Sequence, residues 1–218
     1  MAARVITIAQ QKGGAGKTTL AAQLAVVWAL QDKRLAVLDI DPQGSLAAWA
    51  ELRRARLGDA GRGFEFAALS GWRAGEWVER HVREADFVIV DSPPHAEMEA
   101  RVALRAASLV VVPLQPSPLD LWSAATTLRL AREENRPVLA VLNRVPARSS
   151  LIETVTAELA RDGIPLAAAA LGSRVAFAQA MAQGRGVVES APSSIAAAEI
   201  AALAQEIAQA WRCFPGSA

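Results

Sequence analysis

Short apolar runs alternate along this chain with longer segments in which apolar residues recur every three or four positions. The runs are too short to form helices, and most have no polar side, which is typical of strands buried on both faces of a parallel sheet. We predict strands at residues 5–9, 35–38, 64–69, 86–91, 109–113 and 138–142. Helical periodicity predicts one helix from about residue 18, two helices at 45–57 and 71–84, and one that ends near residue 132. The alternation predicts an α/β fold, a doubly wound and mostly parallel sheet with helices on both faces.

Composition changes this picture mainly by excluding some classes of protein. The 218 residues are 52% apolar and 21% charged, which is ordinary for a globular protein, and we predict a single domain over residues 1–218. Because the net charge is only +1, any DNA contact must come from a local patch. The single cysteine, Cys213, excludes an internal disulfide, and the sequence shows neither a signal-like segment nor a membrane-spanning apolar run. We therefore expect a cytoplasmic protein with no membrane partner.

A glycine-rich segment, residues 10–19, lies between the first predicted strand and the first predicted helix. Backbone N–H groups in such a loop, with the positive end of the helix dipole, meet the charge of a triphosphate. Lys17 would reach the β and γ phosphates, and the Thr18 hydroxyl would bind Mg²⁺. This pattern predicts a P-loop NTPase, and the structural alternative is a glycine-rich turn with two solvated lysines. The predicted nucleotide-binding residues of the loop are Lys12, Gly13, Gly14, Ala15, Gly16, Lys17, Thr18 and Thr19.

Three aspartates follow predicted strands at the end where open α/β sheets bind their ligands. Asp39 and Asp41 follow the strand at 35–38, and Asp91 ends the strand at 86–91. A carboxylate beside the γ-phosphate can orient an attacking water, while one deeper in the site can bind magnesium through water. Asp91 ends a buried strand as a Walker B aspartate does, which predicts the magnesium role for it. For Asp39 and Asp41 the alternative is capping of the next helix.

Four segments resemble the signatures of the ParA/MinD group of ATPases, whose phosphate loop is a deviant Walker A motif. They are Lys12-Gly13-Gly14-Ala15-Gly16-Lys17-Thr18-Thr19, Asp39-Ile40-Asp41-Pro42-Gln43-Gly44, Asp91-Ser92-Pro93-Pro94 and residues 114–121. In that family the early lysine crosses a dimer interface to the partner's nucleotide, so the resemblance gives this role to Lys12. It also implies that Asp41 orients the attacking water and that Asp39 lies on the metal side. The implied catalytic residues are Lys12, Lys17 and Asp41, and the implied metal-side residues are Thr18, Asp39 and Asp91.

The last third of the chain holds candidates for base and DNA recognition. Asn143 lies where many P-loop proteins read the base, and a guanine-reading motif would need an acid at the position of Pro146, so ATP is favoured over GTP. Arg148 and Arg174 lie in segments that resemble the two places where ParA-type proteins carry arginines that bind the DNA backbone. The alternative for both arginines is an ordinary solvated surface. The helical pattern at 200–211 has one apolar face, which predicts core packing rather than a membrane anchor.

The resemblance implies the function of a small ParA-like ATPase. Such a protein forms an ATP-bound sandwich dimer, binds DNA non-specifically, associates with the nucleoid in that state, and positions or segregates a cargo. The cargo is a plasmid, a chromosome or a protein cluster, and a ParB-like or cargo-linked protein stimulates the slow hydrolysis. The alternative is a metabolic ATP-dependent ligase of the dethiobiotin synthetase type, which would need a small substrate for turnover and no ATP-dependent dimer. Fe–S members and tyrosine kinases of this fold are excluded, since the chain has one cysteine and no tyrosine.

Overall fold

The computed structural model describes residues 3–61, 63–69, 73–94 and 97–210 of the chain. The strands of these residues are β1 (Arg4–Ile8), β2 (Leu35–Asp39), β3 (Glu65–Ala68), β4 (Phe87–Asp91), β5 (Leu109–Leu114) and β6 (Val138–Leu142). They form one sheet in the order β3-β2-β4-β1-β5-β6, and every neighbouring pair is parallel. All six predicted strands are therefore confirmed, and none of their ends differs from the prediction by more than one residue.

Helices connect the strands and follow the last one. They are α1 (Lys17–Ala29), α2 (Ser45–Leu57), α3 (Arg73–His81), α4 (Glu97–Ala106), α5 (Pro118–Glu133), α6 (Leu151–Arg161), α7 (Val175–Ala182), α8 (Val187–Ser190) and α9 (Ile195–Ala210). A short 3₁₀ helix, Gly58–Gly61, follows α2. The predicted helix at 45–57 has the observed bounds, whereas α3 is shorter than predicted, and residues 70–72 lie outside the described part of the chain.

The helices cover both faces of the sheet, as the strand pattern predicts. On one face α1, α2, α7, α8 and α9 bury apolar side chains against alternate strand positions such as Ile6 and Ile8. On the other face α3, α4, α5 and α6 pack against the remaining positions, such as Val5 and Val110. Each inner strand therefore buries both of its faces, which explains its continuous apolar run.

The carboxyl ends of the central strands meet at one edge of the sheet. Parallel pairing places Ile8 opposite Asp91 and Asp91 opposite Asp39, so the ends of β1, β4 and β2 are neighbours. The glycine-rich segment leaves β1 at this edge and enters α1. Two of the three predicted aspartates and the predicted phosphate loop are thereby brought together by strand register.

The C-terminal helix α9 packs into the core as predicted. Ile200, Leu203 and Ile207 are fully buried against the face that α1 covers, while Trp211 lies outside the described residues. Within the part of the chain that the structure describes, no helix combines the length and apolar character that crossing a bilayer requires.

Candidate functional site

The glycine-rich loop has the backbone that its composition predicts. Gly14 and Gly16 adopt left-handed conformations, with φ of 76° and 92°, which residues with a Cβ rarely adopt. A Cβ on Gly16 would also lie 2.4 Å from Nδ2 of Asn143, so neither the backbone angle nor the space accepts another residue there. Lys17 and Thr18 start α1, which points the N-terminal end of this helix toward the space above the loop.

Asn143 supports the loop from behind. Its buried amide donates a hydrogen bond from Nδ2 to the carbonyl of Ala15 at 2.8 Å, and its Oδ1 accepts one from the N–H of Arg144 at 2.9 Å. The side chain therefore links the end of β6 to the phosphate loop, a role that the sequence did not suggest. Arg144 has a left-handed backbone with φ of 52°, which is uncommon for a long side chain and is often found at functional sites. Base reading by Asn143 stays a prediction.

Lys17 is a buried cation close to two carboxylates. Burial lowers its pKa from the ordinary value, and this effect is opposed by the nearby charges of Asp91 and Asp41. A buried ammonium group is stabilised when negative charge surrounds it. The phosphates of a nucleotide would supply that charge directly, so this position fits the predicted contact of Lys17 with phosphate.

Thr18 and Asp91 are brought together at the base of the site. The Thr18 hydroxyl donates a hydrogen bond to Oδ2 of Asp91 at 2.7 Å. Oδ1 of Asp91 is buried and has no hydrogen-bond partner among the described residues. Burial raises the pKa of Asp91 to about 7 and outweighs the hydrogen bond from Thr18. An unpaired buried carboxylate oxygen beside a hydroxyl fits a magnesium ion held by the hydroxyl, by phosphate and by waters. The chain thus offers the donors that Mg²⁺ prefers.

Asp39 and Asp41 have different surroundings. Asp39 accepts hydrogen bonds from the N–H groups of Asp41 and Ala47, both at 3.0 Å, so its two oxygens hold the turn into α2. These contacts favour the capping interpretation for Asp39, and its metal-side role stays a prediction. Asp41 is only partly buried, and one oxygen accepts a hydrogen bond from the N–H of Gln43 at 2.9 Å. The carboxylate of Asp41 therefore keeps a solvent-facing position beside the loop, which suits contact with a water.

Lys12 is held by an aspartate of its own chain. Its Nζ lies 2.6 Å from Oδ2 of Asp120 in the first turn of α5, and the two side chains are 36% and 2% exposed. Asp120 falls in the segment 114–121 that the sequence singled out, but no local signal assigned it a role. The side chain of Lys12 is therefore directed toward α5 at the rim of the site, and not toward the phosphate-binding position of the loop.

A cavity of about 130 Å³ opens beside the loop on the side of β6 and α7. Gly16, Thr19, Asn143, Arg144 and Phe177 are among the residues that line it. Its outer wall is Arg174, whose Nε lies 2.9 Å from Oε2 of Glu199 on α9. This contact raises the pKa of Arg174, and a Cβ on Gly172 would lie 3.0 Å from the guanidinium carbon. The planar guanidinium group of Arg174 is thus held in place at the edge of the cavity.

The other predicted DNA-binding arginine lies apart from this cavity. Arg148 is exposed in the loop between β6 and α6, and within the described ranges no ion pair involves it. The two arginines therefore differ, because Arg174 is already paired while Arg148 is open to an anionic partner.

We expect Asp91→Asn to raise the thermal stability of the nucleotide-free protein by about 5 °C at pH 8, or roughly 2 kcal/mol, because it removes the charge of a buried carboxylate whose Oδ1 has no hydrogen-bond partner among the described residues. Since the folded-state pKa of Asp91 is raised from 3.8 to about 7, the destabilisation caused by its ionisation grows as the pH rises through this range, is complete above about pH 7, and is absent in stronger acid. The gain should therefore shrink between pH 8 and pH 4. Thermal unfolding in EDTA measures it, and the same variant should weaken binding of Mg²⁺ and ATP.

Asp86→Asn is the matched control, since Asp86 directly precedes the same strand. Its pKa is lowered by hydrogen bonds from Arg34, so its removal should bring no gain at pH 8. A stability gain for Asp91→Asn that does not change with pH would contradict the explanation.

The fold and the site define a P-loop nucleotide-binding protein, with a phosphate loop, a buried lysine and a threonine–aspartate pair at the end of a parallel sheet. A family model described as the CobQ/CobB/MinD/ParA nucleotide binding domain matches residues 6–187. The chain therefore belongs to this family and is a ParA/MinD-type ATPase, which confirms the predicted family and fold.

Individual relatives agree with this assignment. The chain is 34% identical to the maintenance of carboxysome distribution protein A of Gloeobacter kilaueensis over 96% of each chain. It is 31% identical to the chromosome-partitioning ATPase Soj of Thermus thermophilus, covering 94% of this chain and 95% of that protein. The Pyrococcus horikoshii septum site-determining protein MinD, solved with Mg-ADP, superposes with a TM-score of 0.75 at 19% identity, over 94% of this chain and 96% of that chain.

Proposed function

We propose that this ATPase pairs with a second copy of itself when both bind ATP, and that the pair binds DNA and positions a cargo on it. The proposal rests mainly on the position of the Lys12 side chain. One lysine of the loop, Lys17, is buried over the site, while Lys12 stands at its rim and is held by Asp120. A lysine at the rim of an exposed phosphate site is within reach of a second molecule facing that site. ATP binding by both copies would then decide whether they pair.

Each residue of the site has a part in hydrolysis. Lys17 and the loop N–H groups would hold the β and γ phosphates in place, which is most of what phosphoryl transfer requires. Thr18 and Asp91 would hold Mg²⁺, which neutralises charge on the phosphates when it is bound. Asp41, beside Lys17 and partly open to solvent, would orient the attacking water.

The cavity beside the loop would take the nucleotide base. It adjoins Gly16 and Thr19 at the start of α1, where a nucleotide bound through its phosphates would turn its base. Arg174 offers a flat guanidinium on which an aromatic base can stack, and Glu199 keeps that group in place. Asn143 would contribute by holding the loop and lining the same cavity. This use of Arg174 competes with the DNA-binding role that the resemblance implies.

DNA binding would depend mainly on Arg148. Contacts of an arginine with DNA phosphates read no sequence and weaken as salt rises. Arg148 is exposed and forms no ion pair among the described residues, so it would lose no existing contact on binding. Arg174 would have to leave Glu199 first. Association of the ATP-bound pair with the nucleoid would follow from this contact, because each pair presents two such arginines.

Arg148→Glu is expected to weaken binding of the ATP-bound protein to random-sequence duplex DNA at least tenfold. Each phosphate contact contributes about 0.9 to the slope of log K against log salt concentration, so two lost contacts should lower that slope by about two. Fluorescence anisotropy between 50 and 200 mM salt measures both. Arg161→Glu, at the other end of α6, is the control. Arg161 is also exposed, and its ion-pair contact with the carboxylate of Asp162 is long at 3.7 Å, so this substitution makes the same change of charge away from Arg148. Equal losses for both variants would indicate a general charge effect and not a site.

The names of the relatives point to cargo but differ in its kind. One is named for carboxysome distribution and one for chromosome partitioning, and the chain resembles both over nearly its whole length. A cargo-positioning role, with hydrolysis stimulated by a ParB-like or cargo-linked protein, fits either name. The competing proposal, a metabolic ligase on the same fold, has no need of a second lysine at the rim of the site.

Size analysis with nucleotide tests the proposed function. We expect the Asp41→Ala variant, which cannot orient the water, to form a stable dimer with ATP and Mg²⁺ but not with ADP, and to stay on DNA as long as ATP is present. Sedimentation velocity and DNA retention, each with ATP and with ADP, measure this. A protein that remains monomeric with ATP in both forms, and that turns over only with a small added substrate, would favour the ligase.

A further inference from the structure

Two large apolar side chains face solvent at the beginning of α5. Leu119 is 62% exposed and Trp122 is 67% exposed. They are three positions apart, so they lie on one face of the helix. A tryptophan turned into solvent loses the burial that normally stabilises its ring. Both side chains therefore form a small apolar surface, the α5 patch, that the described part of the chain leaves uncovered.

The α5 patch adjoins the lysine on which pairing depends. Asp120 lies between Leu119 and Trp122 in sequence but turns inward, and its carboxylate holds Nζ of Lys12 at 2.6 Å. Lys12 and the patch are thus attached to the same helical turn, one on its inner side and the other on its outer side. Any molecule that brings a nucleotide within reach of Lys12 must come close to this turn.

We propose that a second copy of this chain covers Leu119 and Trp122 in the ATP-bound pair, a conclusion that rests on the proposed function. Two side chains are too small a surface to hold a protein partner alone, since stable interfaces bury about 800 Å² on each side. The rim with Lys12 and the nucleotide supplies the rest of the surface. Tryptophan is among the residues that contribute most to interfaces, and two-fold symmetry would use each patch in both copies.

In this arrangement two kinds of contact stabilise the pair: the polar contact of Lys12 with the partner's nucleotide and the apolar contact of the α5 patch. The phosphates and Lys12 make pairing depend on ATP, because Lys12 has no partner in the second copy without them. The α5 patch adds apolar contact that does not depend on nucleotide chemistry but cannot form the pair alone. Removing the patch should therefore weaken pairing without changing how the single chain binds ATP.

Serine substitutions in the Asp41→Ala background test the proposal. Because Leu119 and Trp122 are exposed, Trp122→Ser and Leu119→Ser should fold as the parent does, which thermal unfolding checks. The control is Leu30→Ser, since Leu30 is 58% exposed but lies just past the far end of α1, about 20 Å along the helix from the loop. Sedimentation velocity over a range of protein concentrations, with ATP and Mg²⁺, gives the dimer dissociation constant of each variant.

We expect Trp122→Ser to raise that dissociation constant at least tenfold, Leu119→Ser to raise it less, and Leu30→Ser to leave it unchanged. ATP binding at concentrations where the protein is monomeric should be the same in all of them. If the parent pairs and the patch variants pair as tightly as the control, the proposal is wrong while the proposed function stands. If the variants pair normally but lose binding to DNA, the patch belongs to another partner, which also overturns it. A parent that does not pair with ATP overturns the proposed function as well.

Discussion

Lys12→Ala should abolish ATP-dependent pairing and leave ATP binding by the single chain nearly unchanged. In the free chain the charge of Lys12 is neutralised by Asp120, and Lys17 with the loop N–H groups is left to hold the chain's own phosphates. The substitution should therefore reduce dimer formation and the rate of ATP hydrolysis, but not the affinity of the single chain for ATP. We expect turnover to fall by at least about 100-fold, the scale of a cation supplied to a transferring phosphoryl group. Sedimentation velocity, nucleotide titration and phosphate release measure the three quantities.

Asp120→Asn is the informative companion to this variant. It removes the charge that holds Lys12 but keeps an oxygen that can accept the hydrogen bond from the N–H of Gln115. If Lys12 acts across the interface, freeing it should leave pairing intact or tighten it. If instead the ion pair within the chain is what Lys12 provides, Asp120→Asn should fail in the same way as Lys12→Ala. Equal loss of pairing in both variants would therefore overturn the crossing role.

Most of the fold could be predicted because its signals are local. Strand β4 buries both faces, so every residue from Phe87 to Val90 is apolar, and the strand can be read without knowledge of its neighbours. The phosphate loop is equally local, since its glycines and Lys17 are consecutive in the chain. The order of the strands has no such signal, because any of these apolar runs could pair with any other.

The remaining contacts of the site could not be predicted, since they join residues far apart in sequence. Lys12 and Asp120 are 108 positions apart, and Asn143 is 128 positions from Ala15. Neither pair follows from a period or a turn motif. Asp39 shows the converse problem, because capping and metal binding require the same residue at the same place. Only the hydrogen bonds that Asp39 accepts from the N–H groups of Asp41 and Ala47 show that it caps the turn into α2 in the nucleotide-free chain.

An ion pair outside the candidate site should contribute strongly to the stability of the chain. Arg53 of α2 is 3% exposed, and two of its nitrogens donate hydrogen bonds of 2.8 Å to the two oxygens of Glu189, which is 17% exposed. The guanidinium also donates to the carbonyls of Gly61 and Gly184, both at 3.2 Å. Together these bonds join α2 to the 3₁₀ helix that follows it, to the turn between α7 and α8, and to α8 itself.

Arg53→Met is expected to destabilise the fold by about 3–5 kcal/mol, or roughly 10 °C in Tm, because it leaves the largely buried carboxylate of Glu189 without its ion-pair partner. Burial alone would raise the pKa of Glu189, but the hydrogen bonds from Arg53 and from the N–H of Gly186, together with nearby positive charge, lower it. The contribution of the pair is therefore present above the ordinary pKa of a glutamate and is lost as the pH falls through the folded value. The difference in stability between parent and variant should shrink below about pH 4.

The double variant Arg53→Met/Glu189→Met separates loss of the pair from exposure of a lone charge. Two apolar side chains of similar volume often replace a buried ion pair at little cost, so the double variant should be more stable than Arg53→Met alone. Part of the loss should remain, because Glu189 also accepts a hydrogen bond from the N–H of Gly186 at 2.9 Å. Denaturant unfolding of the parent, both single variants and the double variant gives the interaction energy. A double variant less stable than Arg53→Met would show that the buried charge is not the cause.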